Sequence, residues 1–293
     1  MKQALTLFVL ITLNYTVFGQ STLGYKLNKG DIFTIKQNAQ QIITQNLDGA
    51  THELTNTING ILQFKVLDQQ EDNYNMELIF KDLNLRINSS IQGELMNVHA
   101  KEVTAEDVQS QIFNSLLNNP VQMTLSKTGD ILEVRGGDSL VLKMTNASGL
   151  TDEFSLNMMK KSLEKEFGSE ALSNSYKQLT YIYPSKKIKV GDTWENEYSG
   201  KLSTKNNWTL KELTASSASI TGESEITMDI KEPTTTMKLT GKQETQITAD
   251  KTSGFIQKMK VEGESEGTST IVQMGDQQIP THIKSTITYE LIN

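Results

Sequence analysis

The chain has 293 residues, 28 Lys and Arg against 35 Asp and Glu, a net charge of −7, and no cysteine. That acidic balance argues against a nucleic-acid partner and against charge-driven binding to an anionic membrane, both of which want a basic face. Without cysteine there is no disulfide, no thiol nucleophile and no lipidated cysteine of a bacterial lipoprotein, and the length is ample for a core without such staples.

The first elements concern targeting. Lys2 is followed by a mainly apolar run from Ala4 to Phe18, then Val17-Phe18-Gly19-Gln20. A short basic start, an apolar stretch and small residues at the minus-three and minus-one positions describe a secretory signal peptide, with cleavage expected before Gln20. Its loss removes one lysine and no acid, so the mature charge becomes −8. An exported chain of this size without disulfides points to a bacterial periplasm or exterior. No later stretch is long and apolar enough to span a bilayer, so a soluble product is expected.

From residue 20 to about 150 the pattern alternates apolar and polar residues. Leu62, Phe64 and Val66 share one parity, as do Tyr74, Met76, Leu78 and Phe80. Period two with one wet face predicts antiparallel strands over a core. The parity flips before Leu83, Leu85 and Ile87, which predicts a bulge near Lys81-Asp82. Asn59-Gly60 and Lys127-Thr128-Gly129-Asp130 read as hairpin loops. A short helix is predicted near 104–118, from the capping-box spacing of Thr104 and Asp107 and the face of Val108, Ile112 and Leu116, with Pro120 as a stop. A longer helical segment, 151–183, carries Leu156, Met159, Leu163 and Phe167 on one stripe, passes Gly168 and continues through Leu172, Tyr176 and Leu179. Residues 184–293 alternate again at Ile226, Met228 and Ile230, at Met259 and Val261, and at Ile283, Ile287, Tyr289 and Leu291. Lys251-Thr252-Ser253-Gly254 reads as a further hairpin, and Glu262-Gly263-Glu264-Ser265-Glu266 as a solvated one without the spacing of a calcium loop. The expected architecture is mainly β with helices (α+β), one domain of roughly ten or more strands in a large curved antiparallel sheet or half-barrel, with the central helices packed on it.

Two signals recur in the same order. Leu27-Asn28-Lys29-Gly30-Asp31-Ile32-Phe33 resembles Ile188-Lys189-Val190-Gly191-Asp192-Thr193-Trp194, and the Lys127 hairpin resembles the Lys251 hairpin. Either a β-unit is duplicated into two halves or common turn chemistry has converged.

Chemical motifs are sparse. His52, His99 and His282 are far apart and lack metal-ligand spacing. There is no nucleophile elbow and no phosphate-binding loop; Gly200-Lys201 and Gly241-Lys242 lack the flanking residues. Neither a catalytic residue, a metal nor a cofactor is expected. Gly191-Asp192 delivers Trp194 into a strand, either as a core anchor or as a ring on which a ligand stacks. Met158 and Met159, adaptable apolar side chains, are the other candidates for lining a ligand site.

Tyr183-Pro184 leading into Val190-Gly191-Asp192-Thr193-Trp194, the Lys127–Ile131 hairpin and the signal ending in Gly-Gln resemble a family of exported bacterial proteins known only as a domain of unknown function. More distantly, the layout is similar to the periplasmic lipoprotein-carrier fold, a curved sheet wrapped round helices that shields acyl chains. The family has no assigned catalytic residues to carry over. A sheet with one apolar face and long helices can form a concavity, so an exported protein that holds a lipid or another apolar molecule by burial is expected, ahead of an enzyme assembled from distant strands. The alternative is a structural component of the bacterial envelope that meets a protein partner through an exposed apolar patch.

Overall fold

The computed structural model describes residues 20–47, 49–200, 202–232, 234–272 and 277–293. The expected signal segment, residues 1–19, lies outside the described residues. The elements follow in the order β1 (Ile32–Leu47), β2 (Ala50–Gln69), β3 (Asn73–Ser89), β4 (Gly93–His99), α1 (Val108–Asn114), β5 (Pro120–Ser126), β6 (Ile131–Arg135), α2 (Gly137–Asn146), α3 (Glu153–Phe167), α4 (Ser169–Thr180), β7 (Thr193–Tyr198), β8 (Leu202–Leu213), β9 (Ser217–Lys231), β10 (Thr235–Asp250), β11 (Ile256–Ile271) and β12 (Gln278–Leu291).

All twelve described strands belong to one sheet, ordered β6-β5-β3-β2-β1-β12-β11-β10-β9-β8-β7, with β4 also paired to β3. The pairing is antiparallel throughout. The sheet is open, and β1 meets β12 at its middle, Ile35 opposite Leu291 and Gln45 opposite Thr281. The alternation in the sequence becomes two faces. One packs on the helices through Phe64 and Phe80, whose rings meet Tyr176 of α4, and Phe80 also meets Phe167 of α3. This is the inner face.

The sheet curls strongly. Phe80 on β3 touches Phe167, while Glu232 in the β9–β10 turn pairs with Lys165 at 2.8 Å. β3 and β9 are six strands apart, a separation of roughly 29 Å in a flat sheet at ~4.8 Å per strand. That both reach neighbouring residues of one helix shows the sheet wrapping round it as a half-barrel. Inner-face glycines mark the bends: Gly222 lies under the Trp208 ring, and a Cβ on Gly241 would enter the backbone of β11.

Several expectations need correction. Gly60, in the expected Asn59-Gly60 hairpin, sits within β2, beside the register shift at Ile61/Leu62 that answers the bulge predicted near Lys81-Asp82. The acidic string 262–266 is mid-strand in β11, its glycine turned inward. The helix expected near 104–118 is α1 alone, because Asp107 and not Thr104 is its N-cap, accepting from the Ser110 N–H at 2.9 Å. Pro120, taken as a stop, opens β5. α2 lies inside the stretch expected to be strands; it opens on Gly136 and Gly137 without a side-chain cap. The 151–183 segment is two helices that meet at Gly168.

The two Gly-Asp turns have the same geometry. Asp31 accepts from the Asn28 N–H at 2.7 Å, and Asp192 from the Lys189 N–H at 3.0 Å. Gly30 and Gly191 stand at φ +92° and +91°, where glycine is free of Cβ strain. Their N–H groups donate to Val66 and Leu210, whose own N–H groups return to the Asp31 and Asp192 carbonyls. The turns open β1 and β7, each the first strand of a meander.

Candidate functional site: the inner face of the half-barrel

Strand register fixes which side chains share the inner face. Across β1 they are Phe33, Ile35, Gln37, Ala39, Gln41, Ile43, Gln45 and Leu47, and the facing parity of β2 runs from Ala50 to Val66. Continuing through β3 to β12, none of the described inner-face positions between the bulges is Asp, Glu, Lys or Arg. The imidazole of His52 is there, bonded to Ser89 Oγ at 3.0 Å. The charges of these strands fall on the outer face or in bulges. There Glu197, Lys205, Glu225, Lys242, Glu264 and Lys284 alternate in sign across β7 to β12, while the adjacent row sets Glu223, Glu244 and Glu262 directly opposite one another.

The inner face has three zones. The lowest is the core beneath the helices, built on Leu62, Phe64, Tyr176, Leu179, Trp194, Trp208, Ile220 and Ile247. Above it, one register row crosses eight strands and holds only small or uncharged polar residues: Asn56, Gln41, Ser285, Gly263, Gln243, Ser224, Asn206 and Asn196. On β3 and β4 the row is continued by half-buried Ile87 and Met96, and beyond it on β1 and β2 come half-buried Ile43 and Leu54, then Gln45 and His52 with Ser89 of β3, then Leu47.

The C-terminal part of the polar row is closed by its own hydrogen bonds. Ser224 Oγ donates to Asn206 Oδ1 at 2.6 Å, Asn206 Nδ2 to Asn196 Oδ1 at 2.9 Å, and Trp208 Nε1 to the same oxygen at 3.0 Å. Asn196 Nδ2 reaches the Tyr181 carbonyl, and Gln178 of α4 donates to Gln243 Oε1 at 2.9 Å. At the N-terminal part, Asn56 Nδ2 donates to Gln41 Oε1 at 3.1 Å, and Asn56 Oδ1 is buried without a partner.

The expected site residues are separated. Trp194 is 6 % exposed, and its Nε1 donates to the Ile182 carbonyl at 3.1 Å, so its indole is committed to the core. Met159 is half-buried against the core from α3. Met158 is 56 % exposed and Phe154 76 %. They lie seven and eleven residues before Lys165, on the side of α3 that Lys165 turns toward the β9–β10 turn. Phe154 and the polar row were not anticipated: the row joins residues from eight strands and has no local motif.

A concavity of about 830 Å³ is lined by outer-face charges including Glu195, Lys205, Glu223 and Lys242, together with Asn196, Asn206, Ser224 and Gln243 of the polar row. It is open and polar, and its charges are solvated. Among the described residues no group of three or more His, Cys, Asp or Glu is placed to hold a metal. The histidines are apart: His99 meets Asn84, and His282 meets Glu264 at 2.7 Å on the outer face. Burial raises the pKa values of the Tyr25, Tyr176, Tyr183 and Tyr289 hydroxyls, and those of Tyr25 and Tyr183 bond the Thr180 and Gly254 carbonyls.

These features define an open, strongly curved antiparallel sheet wrapped round a helical layer, with an inner face that is uncharged among the described strand residues. Residues 71–256 match a family of unknown function, DUF6263, and the chain belongs to that family. No curated protein matches it. Among solved structures, one titled "Lipid-protein interactions in lipovitellin" is 11 % identical, with a TM-score of 0.53 over 92 % of this chain and 26 % of that one. The chain thus spans about a quarter of the lipovitellin chain, and the likeness is one of fold. An outer membrane channel from Pseudomonas putida F1 (8 % identity, 92 % and 97 % of the two chains, TM-score 0.26) and DynF from the dynemicin biosynthesis pathway of Micromonospora chersina (7 %, 94 % and 86 %, TM-score 0.25) overlap too loosely to bear on it.

Proposed function

We propose that this chain is a non-catalytic binding protein that holds an apolar, lipid-like molecule against the inner face of its half-barrel. The observation that carries the reading is the half-buried apolar zone on β1 to β4, set on a face without charged strand residues and beyond the core under the helices. Burying a ligand's chain there removes apolar surface of both from water, worth roughly 25 cal/mol per Å². The fold likeness to a structure titled for its lipid–protein interactions supports this reading. Met158 and Phe154 on α3 are the proposed entrance; Met159 backs them, and Trp194 supports the floor as a core anchor.

We further propose export to a bacterial periplasm or exterior after cleavage before Gln20, and a single soluble domain. No described helix is long and apolar enough to cross a membrane. The matched Gly-Asp turns support a duplicated meander, the first half interrupted by β4 and α1.

A second reading has its own observation. Phe154, Met158, Leu142 and Leu150 are exposed on or beside α2 and α3, as a docking patch for an envelope protein would be. Native mass spectrometry of the mature protein, purified without detergent from a periplasm and paired with organic extraction, separates the two. A co-purifying mass that extracts as a lipid is expected. A bare mass with no uptake of offered fatty acids, glycerides or phospholipids would leave the partner reading.

A further inference from the structure

We infer that the ligand is a neutral lipid, with apolar chains joined to an uncharged ester, amide or hydroxyl group, and that Gln41 and Asn56 hold that group. The inference rests on the apolar-ligand reading and deepens it.

The polar row divides into two parts of different character. From Gln243 to Asn196 its side chains satisfy one another, with Gln178, Trp208 and the Tyr181 carbonyl completing the set. On β1 and β2 it stays incomplete. Among the described residues, Asn56 Oδ1 is buried and accepts nothing, and the amide nitrogen of half-buried Gln41 donates to no group. Buried polar atoms without partners are uncommon, because leaving one unpaired costs the full desolvation of the group. The pair thus offers one acceptor and one donor side by side, the complement of an ester carbonyl, an amide or an alcohol. Exchanging the O and N assignments of both carboxamides preserves this pairing.

Around the pair lie Ile43, Leu54, Ile58, Leu85 and Ile87, all half-buried. An acyl chain leaving the carboxamides meets Ile43, Leu54 and Ile87 on one side and Ile58 and Leu85 on the other, with the uncharged Gln45 and Ser89-bonded His52 one step further out. A carboxylate or phosphate at the same place meets no lysine or arginine among the described inner-face residues, and an ion desolvated without a counter-charge is strongly disfavoured. The charge complement of this face is therefore a headgroup with no charge.

The test uses the mature protein and three probes with the same acyl chain: monoolein, oleate and dioleoylphosphatidylglycerol. Each is offered below its aggregation limit or from vesicles, and bound lipid is read by native mass spectrometry. Monoolein is expected to bind at least about tenfold more tightly than either anion, the scale that one to two neutral hydrogen bonds provide. Gln41→Leu with Asn56→Leu, whose fold is checked by circular dichroism, should reduce that preference about tenfold while an alkane probe binds as before. Gln41→Arg supplies the missing counter-charge and should raise oleate binding relative to monoolein. Equal or tighter binding of the anions by the unaltered protein would overturn the neutral-lipid inference and leave the apolar-ligand reading standing. Discrimination unchanged in both variants would remove Gln41 and Asn56 from it. No binding of any probe would overturn both readings together.

Discussion

At the scale of single residues, close approach decides much of the inner face. Gly222 stands opposite Trp208, and the indole lies over the glycine where a Cβ would be. Gly222→Val is expected to destabilise by about 1–3 kcal/mol, the cost of overpacking, read as a lower urea midpoint. Trp194 supplies a second case. Trp194→Phe keeps most of the apolar area but leaves the buried Ile182 carbonyl without its donor, a loss of about 1–3 kcal/mol. Under the proposed core role, lipid uptake by that variant stays unchanged once stability is matched. Such roles were partly legible: the Gly-Asp turn before Trp194 announced an anchored ring. The partners of Asn56 and Gln41 were not, because an alternating strand says which face a residue takes and nothing about what crosses from the next strand.

At the scale of elements, the hairpins at 127–130 and 251–254 and the helical stripe ending at Gly168 could be read directly, since turn chemistry and the 3.6-residue period are local. Gly60 and Gly263 misled because long bent strands carry glycine in their interiors, where sequence alone reads it as a turn. The caps of α1 and α3 give a pH prediction. Asp107 and Asp152 accept from the Ser110 and Ser155 N–H groups, which hold both carboxyls below their ordinary value of 3.8. A depressed folded pKa contributes stability above the unfolded value that is lost as pH falls through the folded one. Helical ellipticity should therefore decline below about pH 3.8, and Asp152→Asn, which caps without ionising, should flatten that part of the curve. On the outer face, Glu244 lies between Glu223 and Glu262. Like charges directly opposite destabilise a sheet, so Glu244→Lys should raise the thermal midpoint by about 1–3 °C, and less in high salt.

For the whole molecule, the sequence conveyed a mainly β chain with central helices and an antiparallel sheet. The single sheet order and its curl depend on pairings distant along the chain, which no local pattern encodes. The buried tyrosines report on that assembled state. Tyr25, Tyr176, Tyr183 and Tyr289 have hydroxyl pKa values raised above the ordinary 10.0 by burial. Their protonated forms contribute stability that is complete below pH 10.0 and erodes as pH climbs toward the raised values. Phenolate absorbance should consequently lag behind that of the unfolded chain: half-buried Tyr181, itself raised by burial, ionises first, then the buried set together with loss of β ellipticity. Simultaneous ionisation of all tyrosines without unfolding would contradict the packed interior.

The pairing of β1 with β12 has a consequence for the order of events in the cell. Their partners are more than 230 positions apart, yet they meet at the middle of the sheet. At roughly 5–20 residues per second of synthesis, an early strand waits for on the order of ten seconds or more before its neighbour exists. Until then β1 presents an open hydrogen-bonding edge, the kind that recruits other chains. The half-barrel cannot be built in the order of synthesis; β1 gains its second neighbour only when β12 arrives beside it.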